Sequence, residues 1–173
     1  PAWHNVTLIV GLATMILGGY RALHQHDLKL ILAFGTVSQL GMLIAVLGYG
    51  TAATALAGMA LLVGHSLFKS TLFLTVGVID WSLGTRDLRK ISDLRRSMPT
   101  LAICAAIATG SMVGLPPMVG FVAKEGALTA FTDADAWGAL AVFVLGSIIT
   151  FAYGLRFWFG AFGSRPEVER SEP

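Results

Sequence analysis

Two ionisable side chains, His65 and Lys69, lie in the stretch LVGHSLFKSTLFLTVGVID, residues 62–80, which otherwise has the pattern of a membrane helix. Residues four apart on a helix share a face, so their polar ends can approach one another or one chain of waters. A charged lysine near the bilayer centre costs about 2.5–3.5 kcal/mol by insertion scales. The simplest explanation is that the Lys69 side chain snorkels to the membrane surface. Lys69 is flanked by apolar residues on both sides, which disfavours this explanation. The pattern favours a hydrated, protein-lined interior in which both groups exchange protons.

A second candidate is the pair Lys124 and Glu125 in the segment MVGFVAKEGALTAFTDADAW, residues 118–137. This segment is too short and too polar for one plain span, so we expect an interrupted or re-entrant helix. Transporters build ion sites from such breaks. The alternative is a loop at the membrane surface. Lys29 is either an interfacial anchor or a buried proton carrier.

The remaining polar residues of the apolar segments carry weaker signals. Thr36, Ser38 and Gln39 either line a water path or bond their own helix backbone, and both alternatives stay open. The HQHD sequence at residues 24–27 is a poor metal signature, so we expect no metal site. We also expect no cofactor, because no nucleotide, haem or iron–sulfur pattern occurs. Cys104 is expected to be a small buried residue.

The composition is that of a membrane protein. Of the 173 residues 55% are hydrophobic and 13% are charged, about half the charged fraction of a soluble domain. No Asp, Glu, Lys or Arg occurs between Lys29 and Lys69, which is enough chain to cross a bilayer. The net charge of +2 is too small, and the basic residues are too scattered, to indicate a nucleic-acid partner. The opening PAWHNV lacks an initiator Met, and we expect a piece of a longer chain.

The apolar runs predict an all-α, polytopic transmembrane bundle of about six segments, one of them interrupted. Asp27 is well placed as the N-cap of the second segment, and Pro99 suits the first turn of the fourth. Residues 1–163 form the membrane domain, and residues 164–173 form a polar tail or linker. The predicted segments are residues 5–20, 27–48, 52–80, 99–117, 118–137 and 136–162.

The distribution of Lys and Arg predicts the orientation in the cell membrane. If the segments alternate, the turn after the first segment and the polar loop 81–97 share one face, which we predict to be cytoplasmic. The GLPP turn at residues 114–117 and the C-terminal tail are then predicted to lie on the outer side. The basic residues of the first face are Arg21, Lys29, Arg86, Arg89, Lys90, Arg95 and Arg96; those near the other are Arg156, Arg165 and Arg170.

Three motifs, HDLKLILAFGTVSQLG, GHSLFKSTLFLTVG and GLPPMVGFVAKE, in this order and spacing, resemble the antiporter-like subunits shared by respiratory complex I and the Mrp multisubunit sodium/proton antiporters. The piece GVIDWSLGTRDLRKISDL looks most like the large A subunit of Mrp. The resemblance covers nearly the whole chain. In that family one subunit contains two inverted five-helix repeats, each with a broken helix and a buried lysine, and this chain matches the second repeat.

The resemblance implies a proton relay. Lys69 corresponds to the central lysine, with His65 as its neighbour; Lys124 corresponds to the lysine of the broken helix at the outer exit, and Lys29 to a buried lysine that links inward. Glu125, Asp27, Ser38, Thr36 and Asp80 are supporting candidates. Since the first repeat's Glu and Lys are absent, the chain would hold half of a proton path.

Two departures from the family pattern affect this relay. Many relatives carry a second His where this chain has Leu61, which leaves one titratable group fewer. The aspartate motif is often followed by His where this chain has Trp81, which puts an ion site near Asp80 in doubt.

The resulting hypothesis is a membrane subunit fragment, not an enzyme, that moves protons coupled to Na⁺ efflux. Its partners would be the rest of a longer chain, other antiporter subunits and the lipid bilayer. Two rivals remain. A complex I subunit would drive the same relay by quinone reduction. A membrane scaffold would conduct nothing and would tolerate apolar replacement of His65 and Lys69.

Overall fold

The computed structural model describes residues 2–166, 168 and 171, and in this part of the chain every regular element is helical. The prediction of an all-α polytopic bundle is confirmed. The helices are α1 Ala2–Leu23, α2 Leu28–Gly48, α3 Ala52–Leu83, α4 Leu94–Ser97, α5 Pro99–Val113, α6 Val119–Asp133 and α7 Trp137–Phe162, with a 3₁₀ turn at Leu88–Lys90. Helices α1, α2, α3 and α7 are long and apolar enough to span a membrane.

Local sequence signals explain where the long helices begin. The Asp27 carboxylate accepts hydrogen bonds from the backbone N–H groups of Lys29 (2.7 Å) and Leu30 (3.1 Å), so the predicted N-cap of α2 is confirmed. Thr51 and Thr54 form a reciprocal capping box at the start of α3. Pro99 occupies the first turn of α5, as predicted. Polar caps therefore fix the helix starts independently of the apolar runs.

Helices α5 and α6 together make one crossing of the bundle. Each has 15 residues, or about 22 Å, which is less than the roughly 30 Å hydrocarbon layer. Helix α6 begins beside Gly64, midway along α3, where a Cβ would lie 3.5 Å from Val119. It ends beside the α2–α3 turn, where the Tyr49 hydroxyl donates to the Ala134 carbonyl at 3.5 Å. The interruption therefore lies at residues 114–118, in the middle of the crossing.

The bundle accordingly has five crossings and two ends. We call the end that carries residues 84–98 the loop end, and the end that carries residues 49–51 and 134–136 the far end. The expectation that the GLPP turn lies at an end of the bundle does not hold, because this turn joins the two half-helices at the level of Gly64, midway along α3. Residues 115–117 are exposed on the side of the bundle at that level.

The tail also lies at the loop end, contrary to the expectation that the loop and the tail face opposite sides. Asp93 N–H donates to the Gly163 carbonyl at 2.9 Å, and the Arg165 guanidinium donates to the Leu88 carbonyl at 2.6 Å. The physical reason is that α5 and α6 together cross the bundle once, whereas the sequence analysis counted two separate crossings for these residues. The tail is described only at residues 164–166, 168 and 171, and Arg170 lies outside the described residues.

Arg156 was expected on the outer side and instead lies at the loop end. Its guanidinium donates to the backbone carbonyls of Leu23 and, at 2.8 Å, Gln25, and it contacts the His26 ring nitrogen at 3.0 Å. These carbonyls follow the last turn of α1 and have no partner within that helix. Arg156 of α7 therefore caps the C-terminal end of α1.

Helices α1 and α2 pack with their backbones nearly in contact. A Cβ at Gly18 would lie 2.6 Å from the Ser38 nitrogen, and one at Gly41 would lie 2.6 Å from the Met15 nitrogen. The buried Ser38 hydroxyl donates to the Met15 carbonyl at 2.7 Å. This bond joins two helices. It therefore matches neither alternative left open for Ser38, which were a water path and a bond to its own helix backbone.

Two apolar clusters fill the bundle. Their large members include Tyr153, Phe157 and Phe162 toward the loop end, and Met42, Phe131 and Phe143 toward the far end. Cys104 was expected to be buried but is exposed on α5, because it belongs to the face that points away from both clusters.

Candidate functional site

Lys69 is buried between three helices, with 4% of its surface exposed. Its ammonium group donates to the Leu32 carbonyl of α2 at 3.1 Å and lies 6.0 Å from the ring centroid of Tyr153 on α7. The Thr36 hydroxyl donates to the same Leu32 carbonyl at 2.8 Å. Thr36 therefore bonds its own helix backbone, which is one of the two alternatives left open for it. Its acceptor is the same Leu32 carbonyl that accepts from Lys69.

A set of hydrogen-bonded polar groups lies beside the Lys69 ammonium. The Tyr153 hydroxyl donates to the Gly35 carbonyl at 3.4 Å, and the Gln39 amide donates to Tyr153 (3.4 Å) and to the Thr150 hydroxyl (3.1 Å). Gly35 matters sterically, because a Cβ there would lie 2.9 Å from the Tyr153 ring and 3.1 Å from the Lys69 nitrogen. This set joins α2 to α7, and Lys69 of α3 lies next to it, with its own hydrogen bond to Leu32 of α2.

Sequence reasoning missed Gly35, Thr150 and Tyr153. One signal was present, because Ser147, Thr150 and Tyr153 recur every three residues in the apolar run of α7 and so lie on neighbouring positions of one face. Gly35 had no such signal. Its role depends on which side chains of two other helices meet it.

His65 is half-buried one turn before Lys69 on α3, as the spacing predicts. Its ring packs edge-on against Phe68, with the centroids 5.5 Å apart. The buried Nδ1 atom has no hydrogen-bond partner among the described residues. Leu61, one turn earlier, is buried in the apolar cluster of the far end. His65 therefore places a buried polar atom without a described partner one turn from Lys69.

Lys124 is buried at the interruption, with 7% of its surface exposed. Its ammonium group donates at 3.2 Å to the carbonyl of Val113, the last residue of α5. Gly114 follows in the left-handed region at φ 90°, and a Cβ there would lie 3.2 Å from the Lys124 side chain. A lysine is favoured here by the negative end of the α5 dipole. Lys124 itself lies within the continuous helix α6, and the break precedes it.

Glu125 points away from Lys124. It is exposed on the other face of α6 and lines a groove against α3 together with Asp133. The structure therefore separates the two members of the predicted Lys–Glu pair. Adjacent residues on a helix point about 100° apart, which explains the separation.

A polar cavity of about 250 Å³ opens at the loop end between α2 and α3. Lys29, Asp80 and Arg86 line it together with Phe73 and other α3 residues. Lys29 is exposed in this chain, so the burial that the resemblance implied is not found; Lys29 occupies the first turn of α2, at the surface of the bundle.

Arg86 bridges two carboxylates, of which only Asp80 lines this cavity. Its guanidinium lies 3.4 Å from Asp27 and 3.7 Å from Asp80. Asp27 and Asp80, both predicted as supporting residues, are therefore brought together by a residue that the sequence analysis did not single out. Trp81 is 88% exposed next to Asp80 and takes no part in the cavity.

The polar loop contains its own charged pair and is attached to the bundle by a backbone hydrogen bond. Arg89 donates side-chain hydrogen bonds to Asp87, the shortest at 2.7 Å, and these bonds hold the pKa of the Asp87 carboxyl well below its usual range. The same pairing raises the pKa of Arg89. Leu88 N–H donates to the His26 carbonyl at 2.8 Å, which fastens the loop to the α1–α2 turn.

The two buried lysines share one feature. Among the described residues, neither Lys69 nor Lys124 forms an ion pair, and each donates to a single backbone carbonyl. Burying an ammonium group without a counter-charge is costly. No group of three His, Cys, Asp or Glu in the described part of the chain has a metal-binding arrangement.

Known proteins similar to this chain agree with the motifs. The family described as NADH:quinone oxidoreductase/Mrp antiporter, transmembrane, matches residues 1–150. The A subunit of the Na⁺/H⁺ antiporter of Bacillus subtilis is 39% identical over 98% of this chain and 24% of its own length. The chain thus spans about a quarter of this relative.

Two solved structures share the fold. The Mrp complex from Dietzia sp. contains a chain with a TM-score of 0.90 and 34% identity, over 95% of this chain and 31% of that one. Respiratory complex I from Thermus thermophilus contains another, with a TM-score of 0.86 and 28% identity, over 94% of this chain and 34% of that one.

Proposed function

Because the chain belongs to the transmembrane family of NADH:quinone oxidoreductase and Mrp antiporter subunits, we propose that it is part of a cation/proton antiporter subunit. In this proposal it carries half of a proton path, in which Lys69, His65 and Lys124 exchange protons. The path is coupled in the full complex to efflux of Na⁺, the cation in the name of the Bacillus subtilis relative.

The single observation that carries this proposal is the pair of buried lysines without counter-charges. Lys69 lies between three helices beside a set of polar groups, and Lys124 lies at the break between α5 and α6. Intramembrane ionisable residues are costly and mark ion pathways in most cases. A scaffold gains nothing from two such lysines.

The mechanism follows from electrostatics. Two cations in a medium of low dielectric repel each other strongly, so protonation of one lysine favours release of a proton from the next. Lys69 and Lys124 then titrate as a coupled system and not as independent groups. The His65 Nδ1, which lacks a partner among the described residues, supplies a further proton acceptor one turn from Lys69.

The loop-end cavity supplies the access to this relay. Lys29 lines it one turn before Leu32, whose carbonyl accepts from Lys69. Phe73, which lines the cavity, lies one turn after Lys69 on α3. In this proposal Lys29, Asp27 and Asp80 lie at the surface entrance to the path, Arg86 holds the two carboxylates, and Glu125 and Ser38 stay outside the path.

We propose that the loop end is cytoplasmic. Apart from the two buried lysines, every described Lys and Arg lies at this end, and the far end has none. This asymmetry is the positive-inside pattern, and it is stronger than the sequence alone indicated because Arg156 and Arg165 join the loop end. The tail is then cytoplasmic as well.

The direct test is Lys69→Met in the assembled complex, with Na⁺-driven proton movement measured in everted membrane vesicles. We expect exchange to fall at least about tenfold. Because the Leu32 carbonyl also accepts from Thr36, this variant leaves no buried acceptor unpaired and should fold. The matched control is Lys90→Met on the loop, which should leave exchange unchanged. Undiminished exchange in Lys69→Met would exclude Lys69 from the path.

A complex I subunit is the second candidate, because a chain of that complex shares this fold. The same lysines would then respond to quinone reduction. The two functions are separated by assaying proton movement with Na⁺ and without NADH. Activity under these conditions supports the antiporter, and strict dependence on NADH supports complex I.

A further inference from the structure

A groove between α3 and α6 remains open on the surface of the bundle at the far end. Its volume is about 450 Å³. Small side chains from both helices form its floor, and the groove is mostly apolar. The residues that line it are Ala53, Leu56, Ala57, Ala60, Val122, Ala123, Glu125, Gly126, Thr129, Ala130 and Asp133.

Two carboxylates lie in this apolar groove, and neither Glu125 nor Asp133 forms an ion pair with a described residue. Glu125 precedes Ala134, at the far end, by nine residues, which corresponds to a depth of about 13 Å. A carboxylate at that depth is costly against lipid. The two carboxylates are eight residues or about 12 Å apart on α6, too far to share one cation. The groove therefore needs a polar protein surface as its cover.

We propose that a transmembrane helix from the remaining part of the parent subunit fills this groove and presents a Lys or Arg side chain to Glu125. Three observations support this occupant. The groove is lined by Ala and Gly residues, and such small side chains allow another membrane helix to pack closely. The free carboxylate calls for a basic partner at one defined depth. The chain spans about a quarter of its Bacillus subtilis relative, and a helix of the same polypeptide has a high effective concentration.

The test is site-specific photo-cross-linking in the complete antiporter complex. A photoreactive phenylalanine analogue replaces Leu56, which is 76% exposed at the groove. Mass spectrometry should identify a peptide of the same subunit that contains an apolar helix with a Lys or Arg. Cross-links to lipid alone, or to a peptide of a different subunit, would overturn the proposal. This assay requires no transport, so its outcome is independent of the proton path.

Charge reversal tests the basic partner. Glu125→Lys should lower the yield of the Leu56 cross-link at least about fivefold, because two cations then face each other. Glu125→Gln should lower it less. Thr132→Lys is the control, since Thr132 is exposed on α6 but does not line the groove. An unchanged yield in Glu125→Lys would show that Glu125 faces no basic group.

Discussion

At the scale of single residues, Gly35 provides the space that Lys69 and Tyr153 share. Replacing it with Ala places a Cβ 2.9 Å from the Tyr153 ring and 3.1 Å from the Lys69 nitrogen. We expect Gly35→Ala to cost about 1–3 kcal/mol of stability and to slow proton exchange, because the ammonium group must leave Leu32. Thermal unfolding and vesicle exchange measure the two effects. Gly138→Ala on α7, where no atom lies within 4 Å of the new Cβ, is the control and should change neither.

The sequence predicted the charged members of this site, left the roles of Thr36 and Gln39 open, and missed Gly35, Thr150 and Tyr153. A lysine in an apolar run carries its own cost, so Lys69 and Lys124 are visible to hydropathy and spacing. Tyr153 and Gln39 have no such cost, since both are ordinary in membrane helices. What makes them part of the site is the meeting of α2 and α7 at Lys69, and no local pattern encodes that meeting.

Asp87 gives the polar loop a specific pH dependence. The hydrogen bonds from Arg89 lower the pKa of Asp87 in the folded protein. The contribution of Asp87 is therefore complete above its unfolded pKa of about 3.9 and is lost as the pH falls through the lower folded pKa. We expect the difference in melting temperature between wild type and Asp87→Asn to be constant from about pH 8 to 5 and to shrink below about pH 4. A difference that instead grows as the pH falls would contradict this assignment.

At the scale of helices, the break between α5 and α6 depends on Gly114. Its φ of 90° lies in the left-handed region, and a Cβ would lie 3.2 Å from the Lys124 side chain. Gly114→Ala should cost about 1–2 kcal/mol and displace Lys124 from the Val113 carbonyl. Unfolding and exchange assays should both register the change, whereas Gly138→Ala in open space on α7 should lower neither stability nor exchange. A variant with normal stability and exchange would mean that the break tolerates a side chain.

The helix ends were predictable, and the pairing of the half-helices was not. Asp27 and Pro99 fix their helix starts through groups within a few residues, which a sequence displays directly. That α5 and α6 form a single crossing follows from the contacts of Gly64 with Val119 and of Tyr49 with Ala134. These residues are far apart in the chain, so hydropathy counted two segments where the bundle has one crossing.

At the scale of the whole molecule, the five crossings put the polar loop and the start of the tail on one side of the membrane. In a Cys104→Ser background, single cysteines at Lys90 and Ser164 should react with an impermeant thiol reagent from the same side. A cysteine at Asp135 should react from the opposite side. Intact and everted vesicles provide the two exposures. Labelling of positions 90 and 135 from one side, and of position 164 from the other, would restore the six alternating segments of the sequence prediction.

The central claim is that Lys69 and Lys124 belong to one proton path. Its most direct test is proton flux in proteoliposomes that contain the complete complex, measured for Lys69→Met, Lys124→Met and the double variant. We expect each single variant to lose at least about tenfold in flux and the double variant to lose no more than the worse single one, because groups that act as a unit are not additive. Undiminished flux in either single variant, or losses that multiply in the double variant, would contradict a shared path.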